Sequence, residues 1–225
     1  MTAAAPAISR AGWTAADLHA WQVLAPLSGD YVPWSSASLR PSALVAVLND
    51  VLVHGRRAVL ECGGGVSTLY VARLLERVGQ GALVTVEHDL RWVRFLERAL
   101  ARERLSRRVR VVHAPLGEHP LAWESAWYDE RALRAALPAE PIDLLVVDGP
   151  PAWEGGTEHC RYPALPALLA DLAADATVVL DDIQRPGEQA VLARWEAETP
   201  LRFERREEHG RIAIARLGVE PPLGA

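Results

Sequence analysis

The sequence predicts a doubly wound α/β fold: one mostly parallel, seven-stranded sheet with a C-terminal antiparallel hairpin and an N-terminal helical cover. Three observations carry this. From about residue 56 onward, apolar runs alternate with segments of helical spacing. Runs such as AVLEC, ALVTVE and IDLLVVD are nearly continuous in apolar residues, as strands covered on both faces require. The final stretch, LRFERREEHGRIAIARLG, reads instead as two strands joined around Glu208-His209-Gly210.

The elements follow in order. Thr14 and Asp17 form a capping box that opens a helix to about Leu24. LSGDYVPWSSAS is a loop rich in turn residues, and Ser38 is expected to cap a second helix with Pro41 in its first turn and Gly55 past its end. AVLEC is the first strand, and residues 66–78 form a helix stopped by Gly79. ALVTVE is the second strand; Asp89 caps a helix with Trp92, Leu96 and Leu100 on one face. VRVVH, IDLLVVD and ATVVLD supply strands three to five, each followed by a helical pattern. Residues 114–128, which hold Trp123, Trp127 and Tyr128, are the longest irregular segment. One domain is expected over 1–225: a helical cover to 55, a core over 56–217 and a tail over 218–225.

Composition narrows the partners. A net charge of -5 without a basic block gives no footprint for nucleic acid. All 24 basic residues are arginine, so no lysine is available as base, Schiff-base former or phosphate clamp. No segment reaches the length of a membrane span, and MTAAAPAISRAGW lacks the pattern of a signal peptide. Cys62 and Cys160 have no zinc-ligand spacing, so a cytoplasmic protein with reduced thiols is expected.

Gly63-Gly64-Gly65 stands between the first strand and its helix. Glycine lets a ligand approach the backbone closely, and the helix start offers free N–H groups. Glu87 ends the next strand, 22 residues after Gly65, where a carboxylate can accept both hydroxyls of a ribose. A dinucleotide fingerprint would need a third glycine where Thr68 stands, and a Walker loop would need a lysine.

The remaining pattern, E-x-G-x-G-x-S-T with a downstream acid, resembles motif I of the class I S-adenosylmethionine-dependent methyltransferases. GVSTLYVARLL, VEHD, DGPP, RYPALPAL and LDDIQRPGEQ together resemble a bacterial branch grouped with antibiotic-sugar and catechol-type small-molecule O-methyltransferases. The resemblance runs from about Tyr31 to Leu217 and implies a Rossmann-like core with a reversed last strand. It implies a cofactor site of Glu61, Gly63, Gly64, Gly65, Ser67, Glu87 and His88, with Glu61 and the glycines on the amino-acid part and Glu87 on the ribose.

Asp148 follows the fourth strand, and Asp181 and Asp182 follow the fifth. In this fold class those ends lie beside the glycine turn, so three carboxylates converge near the transferred methyl. Such a group calls for a cation or a proton. Oxygen ligands favour Mg²⁺ or Ca²⁺, with Mn²⁺ also open. Catechol-type enzymes resemble this layout, but their lysine base falls here on Pro151. Arg161 and Arg185 are the competing source of positive charge. His159 is the best candidate base by ordinary pKa, alongside Asp148. His113 is either structural or near the adenine; Arg161 and Tyr162 either anchor substrate or pack a helix start. Trp34, Trp123 and Trp127 either wall a pocket or pack.

The expected activity is therefore methyl transfer to a small-molecule hydroxyl, with Mg²⁺ as a candidate helper and a homodimer left open. A metal-free N-methyltransferase and a non-catalytic cofactor-binding protein are the alternatives.

Overall fold

The computed structural model describes residues 12–218. The N-terminal stretch through Ala11, and the expected tail beyond Gly218, lie outside the described residues. In chain order the elements are α1 (Ala15–Leu24), α2 (Pro41–Val53), β1 (Ala58–Cys62), α3 (Val66–Val78), β2 (Ala82–Glu87), α4 (Leu90–Arg102), β3 (Val109–His113), β4 (Leu116–Gly117), β5 (Trp127–Tyr128), α5 (Glu130–Ala136), β6 (Ile142–Val147), α6 (Ala164–Leu168), β7 (Leu172–Leu180), α7 (Pro186–Glu198), β8 (Glu204–Arg206) and β9 (Ile212–Arg216).

Seven strands form one sheet in the order β3-β2-β1-β6-β7-β9-β8. Only β9 runs against its neighbours; β1, β2, β3, β6 and β7 pair in parallel. The chain leaves β1 for β2 and β3, then returns to lay β6 on the other side of β1. That reversal opens a crevice beyond the carboxyl ends of β1 and β6.

Side chains alternate between two buried faces, which is why the strands read as unbroken apolar runs. Leu60, Cys62, Leu145, Val147, Val178 and Leu180 pack with Leu133, Leu165 and Leu192 from α5, α6 and α7. Val59, Leu83, Leu144 and Val146 pack on the other face with Leu44, Leu69 and Leu100 from α2, α3 and α4. The N-terminal cover shares this second core through Leu24 and Leu44. It is locked by Asp17, which closes the capping box with Thr14 and accepts hydrogen bonds from Arg40 Nε at 3.0 Å and Ser42 Oγ at 2.5 Å.

Three local expectations are corrected. Arg40, not Ser38, precedes the first residue of α2, because proline at the first helical position holds the residue before it extended (Arg40 ψ 150°). Ser38 Oγ instead accepts the Ser35 N–H at 3.1 Å. The segment over 114–128 is not wholly irregular: β4 pairs antiparallel with β5, and this buries Trp127 and Tyr128. Strand β7 begins at Leu172, earlier than expected, and buries only its last five residues. Among the described residues, no helix is long and apolar enough to cross a membrane.

Candidate active site

Backbone hydrogen bonds extend the strand ladder into the crevice. Gly63 N–H reaches Val86 O at 2.9 Å, Asp148 N–H reaches Cys62 O at 2.9 Å, and Asp181 N–H reaches Val147 O at 3.0 Å. The glycine turn and the first two acidic strand ends are therefore held in register. Gly63, at φ +91°, and Gly149 touch back to back: a Cβ on Gly63 would sit 2.8 Å from Gly149 N, and one on Gly149 would sit 2.7 Å from Gly63 Cα. Any side chain at either position would part the two turns.

A cavity of about 360 Å³ opens above this contact. Gly63, Gly64, Gly65, Ser67, Glu87, His88 and Asp148 all line it, as do Trp92, Tyr128 and residues of the loop over 35–39. Glu87 is oriented by N–H groups from Gly64 (3.2 Å) and Asp89 (2.8 Å). Each carboxylate oxygen accepts more than one hydrogen bond, so these leave capacity toward the cavity. His88 Nδ1 lies 2.7 Å from Glu87, which raises the imidazole above its ordinary pKa. Asp89 caps α4 through the Arg91 N–H, as expected.

Glu61 does not reach the cavity wall. It lies buried under the turn and accepts the hydroxyls of Ser67 and Thr68, each at 2.5 Å. Thr68 Oγ1 in turn accepts the Gly65 N–H at 2.9 Å. Burial pushes the Glu61 pKa up, with its hydroxyl donors opposing. Glu61 braces Ser67 and the glycine turn from beneath.

Trp92 and Tyr128 are among the cavity residues that escaped the sequence-level site. Trp92 Nε1 donates to Gly64 O at 2.6 Å and so pins the glycine turn to α4. Tyr128 is buried with its hydroxyl unpartnered, beside the Gly149 turn. The three-residue offset of Trp92 from Asp89 was the available signal; for Tyr128 it was the long segment over 114–128 that holds it, but its place at the cavity depends on the β4–β5 pairing.

Asp148, Asp181 and Asp182 do converge, with one oxygen from each within 4.8 Å of the others. A cation already lies among them. The Arg161 side chain is 1% exposed, and its Nη2 lies 3.4 Å from Asp148 and 3.2 Å from Asp182, with Nη1 3.6 Å from Glu188. Arg185 pairs with Asp182 at 2.6 Å and Glu188 at 3.3 Å. Three carboxylates, of Asp148, Asp182 and Glu188, thus face two guanidiniums, with the Asp181 carboxyl beside them. Burial pushes Asp148 up to about 7, with Arg161 opposing and Asp182 adding to the rise. Burial, then Asp182 and Asp148, push Asp181 well up, which suits a neutral acid whose Oδ1 has no partner. Glu188 rises to about 7 by burial, against Arg161. Of the three carboxylates expected to hold Mg²⁺, those of Asp148 and Asp182 are paired with a guanidinium, and that of Asp181 is not.

His159 is not among the residues lining the cavity; its ring stacks on Trp123 with centroids 3.8 Å apart. Tyr162 packs at its helix start, with its hydroxyl on Glu198 at 2.6 Å. His113 is exposed and meets the His88 carbonyl at 3.1 Å. Trp127 is wholly buried. Trp34 faces a separate, larger cavity of about 790 Å³, with Trp13, Trp21 and Tyr70. That cavity contains none of the strand-end groups, so the smaller one is the candidate active site.

Residues 60–183 match the methyltransferase-domain family. Solved structures share the fold. An O-methyltransferase from Bacillus cereus in complex with S-adenosylhomocysteine is 19% identical, with TM-score 0.56, over 92% of this chain and 93% of its own. TomG from Streptomyces achromogenes, an O-methyltransferase of tomaymycin synthesis in complex with S-adenosylmethionine, is 19% identical with TM-score 0.55, over 90% of this chain and 89% of its own. A precorrin-6y C5,15-methyltransferase from Geobacter metallireducens is 12% identical with TM-score 0.55, over 83% of this chain and 92% of its own. No curated protein matches the chain.

Proposed function

Because the chain belongs to the methyltransferase-domain family, we propose that it transfers the methyl group of S-adenosylmethionine to a hydroxyl on a small molecule. One observation carries the cofactor half: the glycine turn, Ser67 and Glu87, from two adjacent strand ends, line the same cavity as Asp148. Gly65 leaves the backbone open to the amino-acid part, Gly63 and Gly64 shape the turn by packing against Gly149 and Leu96, and the first turn of α3 has N–H groups without helical partners. Glu87 accepts the ribose hydroxyls, and His88 borders the same end. Glu61 acts from beneath by holding Ser67 and Thr68.

S-adenosylmethionine supplies an electrophilic methyl on sulfur for in-line displacement. The protein's share is alignment and a polar group at the reacting end. Asp148 is the member of the strand-end acidic cluster that lines the cavity, and it receives the hydrogen bond and then the proton of the acceptor hydroxyl. An amine acceptor is the second reading. It is favoured by one observation: His159 lies off the cavity wall and proline stands at position 151, so Asp148 alone is left as base. We also take residues 1–225 as one domain, working in the cytoplasm, where the buried Cys62 and Cys160 stay free thiols.

The test is titration calorimetry with S-adenosylhomocysteine and with NAD. The first should bind and the second should not. Glu87→Ala should weaken S-adenosylhomocysteine by roughly 1.5–3 kcal/mol, the worth of hydrogen bonds to a charged acceptor. Absence of binding by wild-type protein rejects the proposal; normal binding by Glu87→Ala rejects the ribose assignment alone.

A further inference from the structure

We propose that Arg161 is the resident cation of the carboxylate cluster, standing where a divalent metal would sit, and that the active site works without a metal. The inference rests on the methyl-transfer reading for its meaning, though not for its test.

Arg161 lies just ahead of α6, and its side chain turns inward beneath the ends of β6 and β7. Three backbone carbonyls hold the guanidinium. Nε donates to Pro150 O at 3.2 Å, Nη1 to Asp181 O at 3.2 Å and Nη2 to Asp148 O at 2.7 Å. The same two terminal nitrogens face the carboxylates of Asp148, Asp182 and Glu188. A guanidinium has five N–H donors in a fixed plane, and this pocket provides acceptors around that plane. A buried charge is tolerated when it is paired and hydrogen-bonded, and here both conditions hold.

A divalent ion needs oxygen ligands to itself, at about 2.0–2.1 Å for Mg²⁺. Asp148 and Asp182 would have to divide their charge between Arg161, which each already meets through one oxygen, and such an ion. The ion would also stand beside a buried positive charge, where water screens poorly. Expelling the guanidinium would strip it from three carbonyls at once. Asp148 is the member of this assembly that lines the cavity, and Arg161 is its backing. Arg161 is therefore a positioning residue: it fixes the carboxylate that meets the acceptor.

Mn²⁺ alone is the probe, followed by electron paramagnetic resonance of the free ion, with wild type, Asp181→Asn, Arg161→Ala and Arg161→Lys. Wild type should take up no Mn²⁺ that Asp181→Asn abolishes; uptake that both share is surface binding and leaves the inference standing. Arg161→Ala removes the buried cation, leaving only Arg185 at the rim on Asp182 and Glu188, and should bind Mn²⁺ at least tenfold more tightly than wild type, while Arg161→Lys, which keeps the charge, should not. Any wild-type Mn²⁺ binding lost in Asp181→Asn overturns the proposal. A folded Arg161→Ala protein, checked by circular dichroism, that gains no Mn²⁺ affinity overturns it as well. If Arg161→Ala fails to fold, the wild-type and Asp181→Asn titrations decide. S-adenosylhomocysteine binding is measured separately, so failure here leaves methyl transfer intact, and failure there leaves the metal question answered.

Discussion

Alanine at Gly63 and at Gly65 separates the structural from the ligand-facing half of the glycine turn. At Gly63 the backbone lies at φ +91°, and a Cβ would meet Gly149 N at 2.8 Å, Gly149 Cα at 2.9 Å and the Asp148 carbonyl carbon at 3.0 Å. All three are main-chain atoms between adjacent strand ends, so no side chain can swing aside. Holding a non-glycine residue in such a conformation costs about 1–3 kcal/mol, and forcing atoms into a packed contact costs about 1–3 kcal/mol more. A loss of roughly 2 kcal/mol is the lower bound, equivalent to at least about 4 °C in a chain of this size. Parting the two turns also shifts Asp148 away from Glu87, so S-adenosylhomocysteine affinity should fall together with stability. Gly65 differs. Its φ of -166° is ordinary extended backbone, and an added Cβ would meet only Ser67 Oγ, at 3.9 Å. Gly65→Ala should therefore melt within about 0.5 kcal/mol of wild type. Because its methyl enters the cavity, it should still weaken S-adenosylhomocysteine by about tenfold, or ~1.4 kcal/mol. Ligand-free melting curves and calorimetric titrations of both variants decide the matter. A Gly63→Ala protein as stable as wild type, or a Gly65→Ala protein with wild-type affinity, would refute the assignment of these faces.

Trp92→Phe keeps the stacking on Phe95 but loses the hydrogen bond to Gly64 O; at ~0.5–1.5 kcal/mol, calorimetry should show roughly two- to twelvefold weaker S-adenosylhomocysteine. Burial alone would raise Asp17, but hydrogen bonds from Arg40, Ser42 and Thr14 outweigh it and hold the carboxyl at about 2, below the ordinary 3.8. The folded value lies under the unfolded one, so this stabilisation is complete above about pH 4 and is lost as pH falls through about 2. Melting curves across that window should steepen for wild type and flatten for Asp17→Asn. His159→Ala should leave S-adenosylhomocysteine affinity unchanged and turnover within about threefold, since its ring packs on Trp123 off the cavity wall; a loss of about a hundredfold in turnover alone would return the base role to His159.

Much of the fold was legible because its signals are local. The Thr14–Asp17 box, the left-handed Gly79 and the Asp89 cap satisfy backbone groups within a few residues of themselves, so they mark α1, α3 and α4 without knowledge of anything distant. Unbroken apolar runs likewise identify strands covered on both faces. The glycine turn and Glu87 were legible for a related reason: a strand end, a turn and a helix start are contiguous in sequence, and the turn needs glycine where its backbone meets a neighbour. Which cation meets the strand-end carboxylates was legible only as a choice between a metal and Arg161 or Arg185. Arg161 stands 13 residues beyond Asp148 and 21 before Asp182 in sequence, and only the folding of the loop over 149–163 across two strand ends brings its guanidinium between them. Until that loop is in place the same carboxylates read equally as metal ligands or as partners of those arginines. Glu61 turns under Ser67 rather than outward, Trp92 reaches back to Gly64, and His159 finds Trp123 across an irregular loop. Each of these is a choice of partner between segments distant in the chain. Residue type limits such choices through charge, size and hydrogen-bonding capacity, but proximity settles them, and proximity exists only after the sheet has assembled.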